Sequence, residues 1–208
     1  DHSTNGGYFT GIGEQKTIVL ADGSSITLNT NSRVKVSYAE TTRDISLEQG
    51  EAYFAVESDR ARAFRVFVGD SLVQAVGTAF TVRLRDTEVD VTVAEGKVAL
   101  ATQLPATTAV IEQIPVATGD AATTGEQRLG LLTAGQKATI KNGASLDALN
   151  PAALAPAETL EQAELEREIA WQQGLLLFSG EPLSEVVDTI ARYTTVSLEI
   201  SDPAVRGI

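Results

Sequence analysis

Phe80-Thr81-Val82-Arg83-Leu84-Arg85-Asp86-Thr87-Glu88-Val89-Asp90-Val91-Thr92-Val93 alternates apolar and polar side chains on both sides of a single break. Strict alternation is the mark of a strand with one buried face. Taking Asp86-Thr87 as a two-residue loop sets Leu84 against Val89, Val82 against Val91 and Phe80 against Val93, all on one side. On the other side Arg85 meets Glu88 and Arg83 meets Asp90. Register, burial and charge pairing agree, each cross-strand pair contributing about 0.2–1 kcal/mol. Asp-Thr is a poorer two-residue turn than Asn-Gly, so the loop is the least constrained part of the predicted hairpin.

The same period runs from about residue 16 to 102. Val34, Val36 and Tyr38 alternate with Arg33, Lys35 and Ser37, and Phe64, Val66 and Val68 share one face. Turn formers punctuate these runs at Asp22-Gly23, Asn29 to Ser32, Gly50, Gly69, Gly77 and Gly96. Short alternating runs with frequent turns predict antiparallel β structure. An echo runs through Gln49-Gly50-Glu51-Ala52, Glu95-Gly96-Lys97-Val98 and Ala134-Gly135-Gln136-Lys137-Ala138, each reading as strand, glycine turn, strand. Such repetition suggests a stack of hairpins, although glycine turns also simply recur in β proteins. The expected fold is therefore mainly β: an antiparallel all-β domain over 1–141, sandwich- or solenoid-like, with a long loop at about 104–128.

Beyond it, 142–158 contains Pro151 and Pro156 and reads as a linker. A helix is expected from Thr159, with Thr159 as its N-cap and Leu160, Leu165 and Ile169 near one face. Leu175 to Phe178 then reads as a strand. Pro182 opens a helix whose apolar face is Leu183, Val186, Val187 and Ile190, closed by Arg192-Tyr193. Val196 to Ile200 reads as a second strand, so 159–208 is expected to be a helix plus an incomplete β-α-β unit.

Composition bounds the chemistry. The 208 residues amount to about 1.4 typical domains, one large or two unequal. Sixteen basic against 28 acidic side chains give a net charge of −12, which argues against nucleic-acid binding. With no cysteine and His2 the only histidine, disulfides, thiolate zinc sites, cysteine nucleophiles and His-based triads are excluded. Gly11-Ile12-Gly13 begins a dinucleotide-like pattern, but Lys16 stands where the third glycine belongs. No phosphate-loop or calcium-loop signature is found, so no cofactor or metal is expected. No stretch approaches eighteen apolar residues, and the opening Asp1-His2-Ser3-Thr4-Asn5 suggests an excised piece of a longer protein.

An ordered series of short motifs adds to this. Leu20-Ala21-Asp22-Gly23-Ser24, Leu28-Asn29-Thr30-Asn31-Ser32, Gly50-Glu51-Ala52-Tyr53-Phe54, Phe64-Arg65-Val66, Val76-Gly77-Thr78-Ala79-Phe80 and Glu95-Gly96-Lys97-Val98 follow one another in fixed order. Downstream come Leu132-Thr133-Ala134-Gly135-Gln136, Trp171, Gly174, Phe178, Pro182-Leu183, Val186, Arg192-Tyr193 and Asp202-Pro203. The series resembles the FecR-type anti-sigma regulators of Gram-negative cell-surface signalling, over most of residues 13–208.

The resemblance implies a periplasmic region of a single-pass inner-membrane protein. It implies a sigma factor of the extracytoplasmic-function class held by a cytoplasmic segment, and a membrane span, neither of them in this sequence. The β-α-β unit resembles the first half of the small signalling fold shared by secretins and TonB-dependent receptors. The implied function is signal relay: binding the N-terminal signalling domain of a TonB-dependent outer-membrane receptor, often of iron chelates, and so controlling sigma-factor release. Candidate partner-binding residues are Leu175, Leu177, Phe178, Arg192 and Tyr193, with core packing the competing role for the apolar ones and for Trp171. Some members of the family cleave themselves between a glycine and a threonine, which here would be Gly77 and Thr78; no base for Thr78 is identifiable. A β-rich extracellular module binding glycans is the rival reading, although one Trp and four Tyr offer few aromatic platforms.

Overall fold

A computed structural model describes residues 5–103, 126–141 and 155–200. In chain order its strands are β1 (Gly6–Phe9), β2 (Lys16–Val19), β3 (Ser25–Leu28), β4 (Arg33–Tyr38), β5 (Arg43–Gln49), β6 (Glu51–Ala55) and β7 (Phe64–Val68). They continue as β8 (Ser71–Ala75), β9 (Ala79–Leu84), β10 (Glu88–Glu95), β11 (Lys97–Gln103), β12 (Glu126–Thr133), β13 (Gln136–Lys141) and β14 (Glu158–Thr159). The fold is mainly β. The hairpin β9–β10 has the expected register, Leu84 to Val89, Val82 to Val91 and Phe80 to Val93, with Arg83 opposite Asp90.

One sheet runs β1-β4-β5-β7-β8-β11-β12 and the other β2-β3-β6-β9-β10-β13-β14. Strand numbers rise along both, so the chain fills the two layers together from one end. Gly50, Gly96 and Gly135 were expected to close hairpins. Instead each carries the chain from one sheet to the other, because β5, β11 and β12 lie in the first sheet and β6, β10 and β13 in the second. The left-handed backbone at each (φ +81°, +80° and +78°) allows the sharp turn, and the ladder that takes the next strand decides the crossing, as β3 and β9 take β6. At Gly50 any side chain is excluded, because a Cβ would lie 2.7 Å from the Asn31 carbonyl oxygen. The β5–β6–β7 passage makes one full coil, and β5 and β7 consequently pair in parallel.

The inward faces of the sheets make one core, built on Phe54, which stacks on Phe80 at 5.1 Å and meets the edge of Phe64 at 5.9 Å. At its side lies a fully buried cation. Arg43 Nη1 donates to Asp22 Oδ2 at 2.6 Å and to the Glu57 carbonyl at 3.0 Å, and Nε donates to the Arg62 carbonyl at 2.9 Å. Burial opposes ionisation of Asp22, but hydrogen bonds from Arg43 and Ser24 prevail and hold its carboxyl below the usual range. These contacts knit the β2–β3 turn, the start of β5 and the β6–β7 connection.

After β14 come helix α1 (Gln162–Ile169), a 3₁₀ turn (Ala170–Gln173) and helix α2 (Leu183–Ala191). Thr159 is not the N-cap of α1: it belongs to β14, paired with Gln136. Glu161 takes that role, its amide donating to Glu164 Oε2 at 2.7 Å, because the ladder to β13 holds the chain extended through Thr159. Pro182 precedes α2 as expected, and Arg192 closes it. Neither Leu175–Phe178 nor Val196–Ile200 pairs as a strand among the described residues, so only the helix of the expected β-α-β unit is formed there. The expected loop at 104–128 lies outside the described residues up to 125, as does the expected linker up to 154 and Asp202-Pro203.

Candidate functional site

Strands β6, β9, β10 and β13 put Ala52, Val82, Val91 and Ala138 in the core. Period two then sends Glu51, Arg83, Asp90 and Thr139 to the outer face, where the ladders set them side by side. An outer face of this composition is expected in water, yet Glu51, Thr81, Asp90 and Thr92 are all buried. The C-terminal segment lies across it. Lys137 Nζ meets Glu168 Oε1 of α1 at 2.6 Å, and Gln15 Nε2 donates to the Trp171 carbonyl at 2.7 Å. Leu165, Ala170 and Trp171 are the buried apolar residues of that segment, whereas no residue of α2 is buried.

The far end of the segment is fastened by polar contacts. Arg192 Nη2 pairs with Glu51 Oε2 at 2.8 Å, and Asn29 Nδ2 donates both to Glu51 Oε2 at 3.0 Å and to the Tyr193 hydroxyl at 2.7 Å. The Thr30 hydroxyl donates to the Arg192 carbonyl at 3.0 Å, and the Arg192 guanidinium lies 5.8 Å from the Tyr193 ring centre. Burial, supported by the charge of Glu51 and opposed by the Asn29 hydrogen bond, pushes the Tyr193 phenol up. Gly13 is needed here, since its φ is +78° and a Cβ would meet the Tyr193 carbonyl oxygen at 2.9 Å.

Arg83 stands apart. Its neighbour Asp90 pairs with Arg85 at 2.7 Å and accepts from Thr139 at 2.8 Å, a diagonal pairing in place of the straight one expected. Its neighbour Glu51 is taken by Arg192 and Asn29. Among the described residues the Arg83 side chain forms no ion pair or hydrogen bond. Burial, then the nearby charge of Arg192, hold its guanidinium below the usual range.

Of the sequence candidates, Arg192 and Tyr193 are thus engaged within the chain. Leu175, Leu177 and Phe178 face water, 49%, 46% and 39% exposed, rather than filling a core. Leu177, Phe178, Arg192 and Tyr193 line a cleft of about 330 Å³ between the segment and the sheet, with Trp171 and Arg83 also in its wall. Gly77 and Thr78 lie elsewhere, where the chain passes from β8 to β9. Gly77 has φ +61° and Thr78 is buried, its carbonyl accepting the Val56 amide at 2.8 Å. Among the described residues the Thr78 hydroxyl has no hydrogen-bond partner.

Asn29, Thr30, Glu51 and Arg83 escaped sequence reading. Asn29 and Thr30 resemble ordinary turn residues, and Glu51 an ordinary polar residue after a glycine. The available signal was the register itself, which sets Arg83 between two acids without saying which arginine each acid would choose. Among the described residues no helix is long and apolar enough to cross a membrane, and no group of three or more His, Cys, Asp or Glu is placed to hold a metal ion.

No curated protein matches the sequence. Two crystal structures described as "a putative anti-sigma factor from Parabacteroides distasonis ATCC 8503", at 2.50 and 1.65 Å resolution, share the fold. Each has a TM-score of 0.62 and 22% identity, over 90% of this chain and 74% of that one. The family model described as FecR protein matches residues 7–99, which contain β1 to β10, the Arg43–Asp22 pair and the Gly77-Thr78 passage. Over residues 7–99 this chain is thus similar to the FecR family.

Proposed function

We propose that the chain is the periplasmic signal-relay region of a FecR-type anti-sigma regulator. In this reading it binds the N-terminal signalling domain of a TonB-dependent outer-membrane receptor and controls release of an extracytoplasmic-function sigma factor, in regulation of the iron-uptake kind. A span and a cytoplasmic segment outside this sequence would join it to the inner membrane and to the sigma factor. The carrying observation is that Leu175, Leu177 and Phe178 present large apolar side chains to water, on a segment laid over the region that matches the FecR family model. Burying one such side chain against a partner is worth about 1.5–3 kcal/mol. The partner must favour one arrangement of this region over another, since equal affinity for both would transmit nothing.

Calorimetric titration with the purified signalling domain of a TonB-dependent receptor encoded beside this protein tests the reading. Saturable binding at micromolar concentration or tighter, weakened about tenfold or more by Leu177→Asp or Phe178→Asp, is expected. No binding, or binding indifferent to both substitutions, overturns it.

The same reading assigns self-cleavage to the Gly77–Thr78 bond, supported by the left-handed Gly77 and the unpartnered, buried Thr78 hydroxyl. The Thr78 oxygen attacks the Gly77 carbonyl carbon, the C–N bond breaks as the ester C–O bond forms, and the hydroxyl proton passes to the freed amine. Water then hydrolyses the ester, leaving a Gly77 carboxylate and Thr78 as a new N-terminus. Intact-mass measurement of fresh protein should show two fragments meeting at that bond, and Thr78→Ala should abolish them. A single 21.9 kDa species surviving incubation excludes the reaction.

A further inference from the structure

We infer that Glu51 is a two-way switch, paired with Arg192 while the C-terminal segment lies on the sheet and with Arg83 once the segment lifts. This rests on the relay reading only for its purpose, and it names how the segment carrying the partner-binding residues is held and released.

The argument begins with the ladder. Glu51 in β6 and Arg83 in β9 are directly opposite, on the outer face. Side chains so placed have Cβ atoms about 4.5–5.5 Å apart, so a rotamer change alone brings the carboxylate and guanidinium together. In the docked arrangement this natural pair is not made. Arg192 holds Glu51 at 2.8 Å, and the Arg83 guanidinium stays half-buried without a counter-ion, beside the second positive charge of Arg192. A buried carboxylate normally resists losing its partner, because desolvation is no longer compensated. Here a replacement cation is already in position, so lifting the segment does not orphan Glu51. Lifting also separates the Arg83 guanidinium from that of Arg192. Leu165, Ala170 and Trp171 keep the α1 end buried, whereas no residue of α2 is, so a partner need release only the α2 end to choose between the two arrangements.

The chain has no cysteine, so Thr30→Cys gives a unique thiol at a buried position whose hydroxyl meets the Arg192 carbonyl. Its rate of alkylation under native conditions reports the lifted population. In that background Arg83→Gln should slow alkylation about three- to fivefold, since it removes both the waiting partner and the repulsion of Arg192. Arg83→Lys should slow it less, and Arg85→Gln not at all. Arg192→Gln should speed it. Adding Arg83→Gln to Arg192→Gln should then change nothing, because Glu51 is free to pair with Arg83 in both arrangements. Faster or unchanged alkylation in Arg83→Gln overturns the proposal, as does equal slowing with and without Arg192. Far-ultraviolet circular dichroism, dominated by the two sheets, verifies that each variant is folded. No receptor domain enters the assay, so its failure leaves the relay reading untouched, and failure of the titration above leaves the switch untouched.

Discussion

Arg43 has no access to water, yet its charge is compensated by Asp22 and three carbonyl groups drawn from two loops. Arg43→Met should therefore strand the Asp22 carboxylate and cost about 3–5 kcal/mol, read as a fall in the urea midpoint. Asp22 also sets an acid limit. Its carboxyl ionises at lower pH when folded than when unfolded, so its contribution is complete above the unfolded value of about 3.9 and is lost as pH falls through the folded one. The urea midpoint should decline below about pH 4, and Asp22→Asn should flatten that part of the decline. Gly50→Ala probes the turn between the layers. With φ at +81° and a carbonyl oxygen where the methyl must go, it should cost about 1–3 kcal/mol.

Strands were the elements most plainly written in the sequence. Alternation in Phe80 to Val93 yields the hairpin register because shifting by one residue would put Arg83 and Asp90 in the core. The glycine turns were legible as turns but not as passages between layers, since a positive φ serves a hairpin or a crossing equally well. Alternation was also silent about what covers the outward face. Glu51 and Arg83 read as solvated charge until the C-terminal segment is laid over them, and that segment comes from more than 100 residues away. The docked elements differ in how firmly they are held. Leu165→Ala, at a buried site of α1, should cost the segment about 2–5 kcal/mol, whereas Ile190→Ala on exposed α2 should cost less than about 1. Trp171 is the only tryptophan, so its fluorescence through a urea titration reads the segment directly. Trp171→Phe should be far milder than Trp171→Ala in the same measurement by circular dichroism, because the indole N–H makes no hydrogen bond.

At the scale of the molecule, the two layers grow together from β1 and β2 to β12 and β14. The segment that follows β14 then travels back, from Lys137 in β13 to Asn29 and Thr30 just beyond β3. The end of the described chain is thereby returned to the strands that began it, and that return decides how the protein bears load. Tension between its N-terminal strands and the region after α2 meets the Arg192–Glu51 and Tyr193–Asn29 contacts before any strand ladder, because they span the shortest path between the points of attachment. In single-molecule pulling with one handle at Asn5 and the other at Ile200, the first event should be a low-force release of the C-terminal segment that Arg192→Gln weakens further. The strands should part only afterwards, at higher force, as a fuse fails before the circuit it protects.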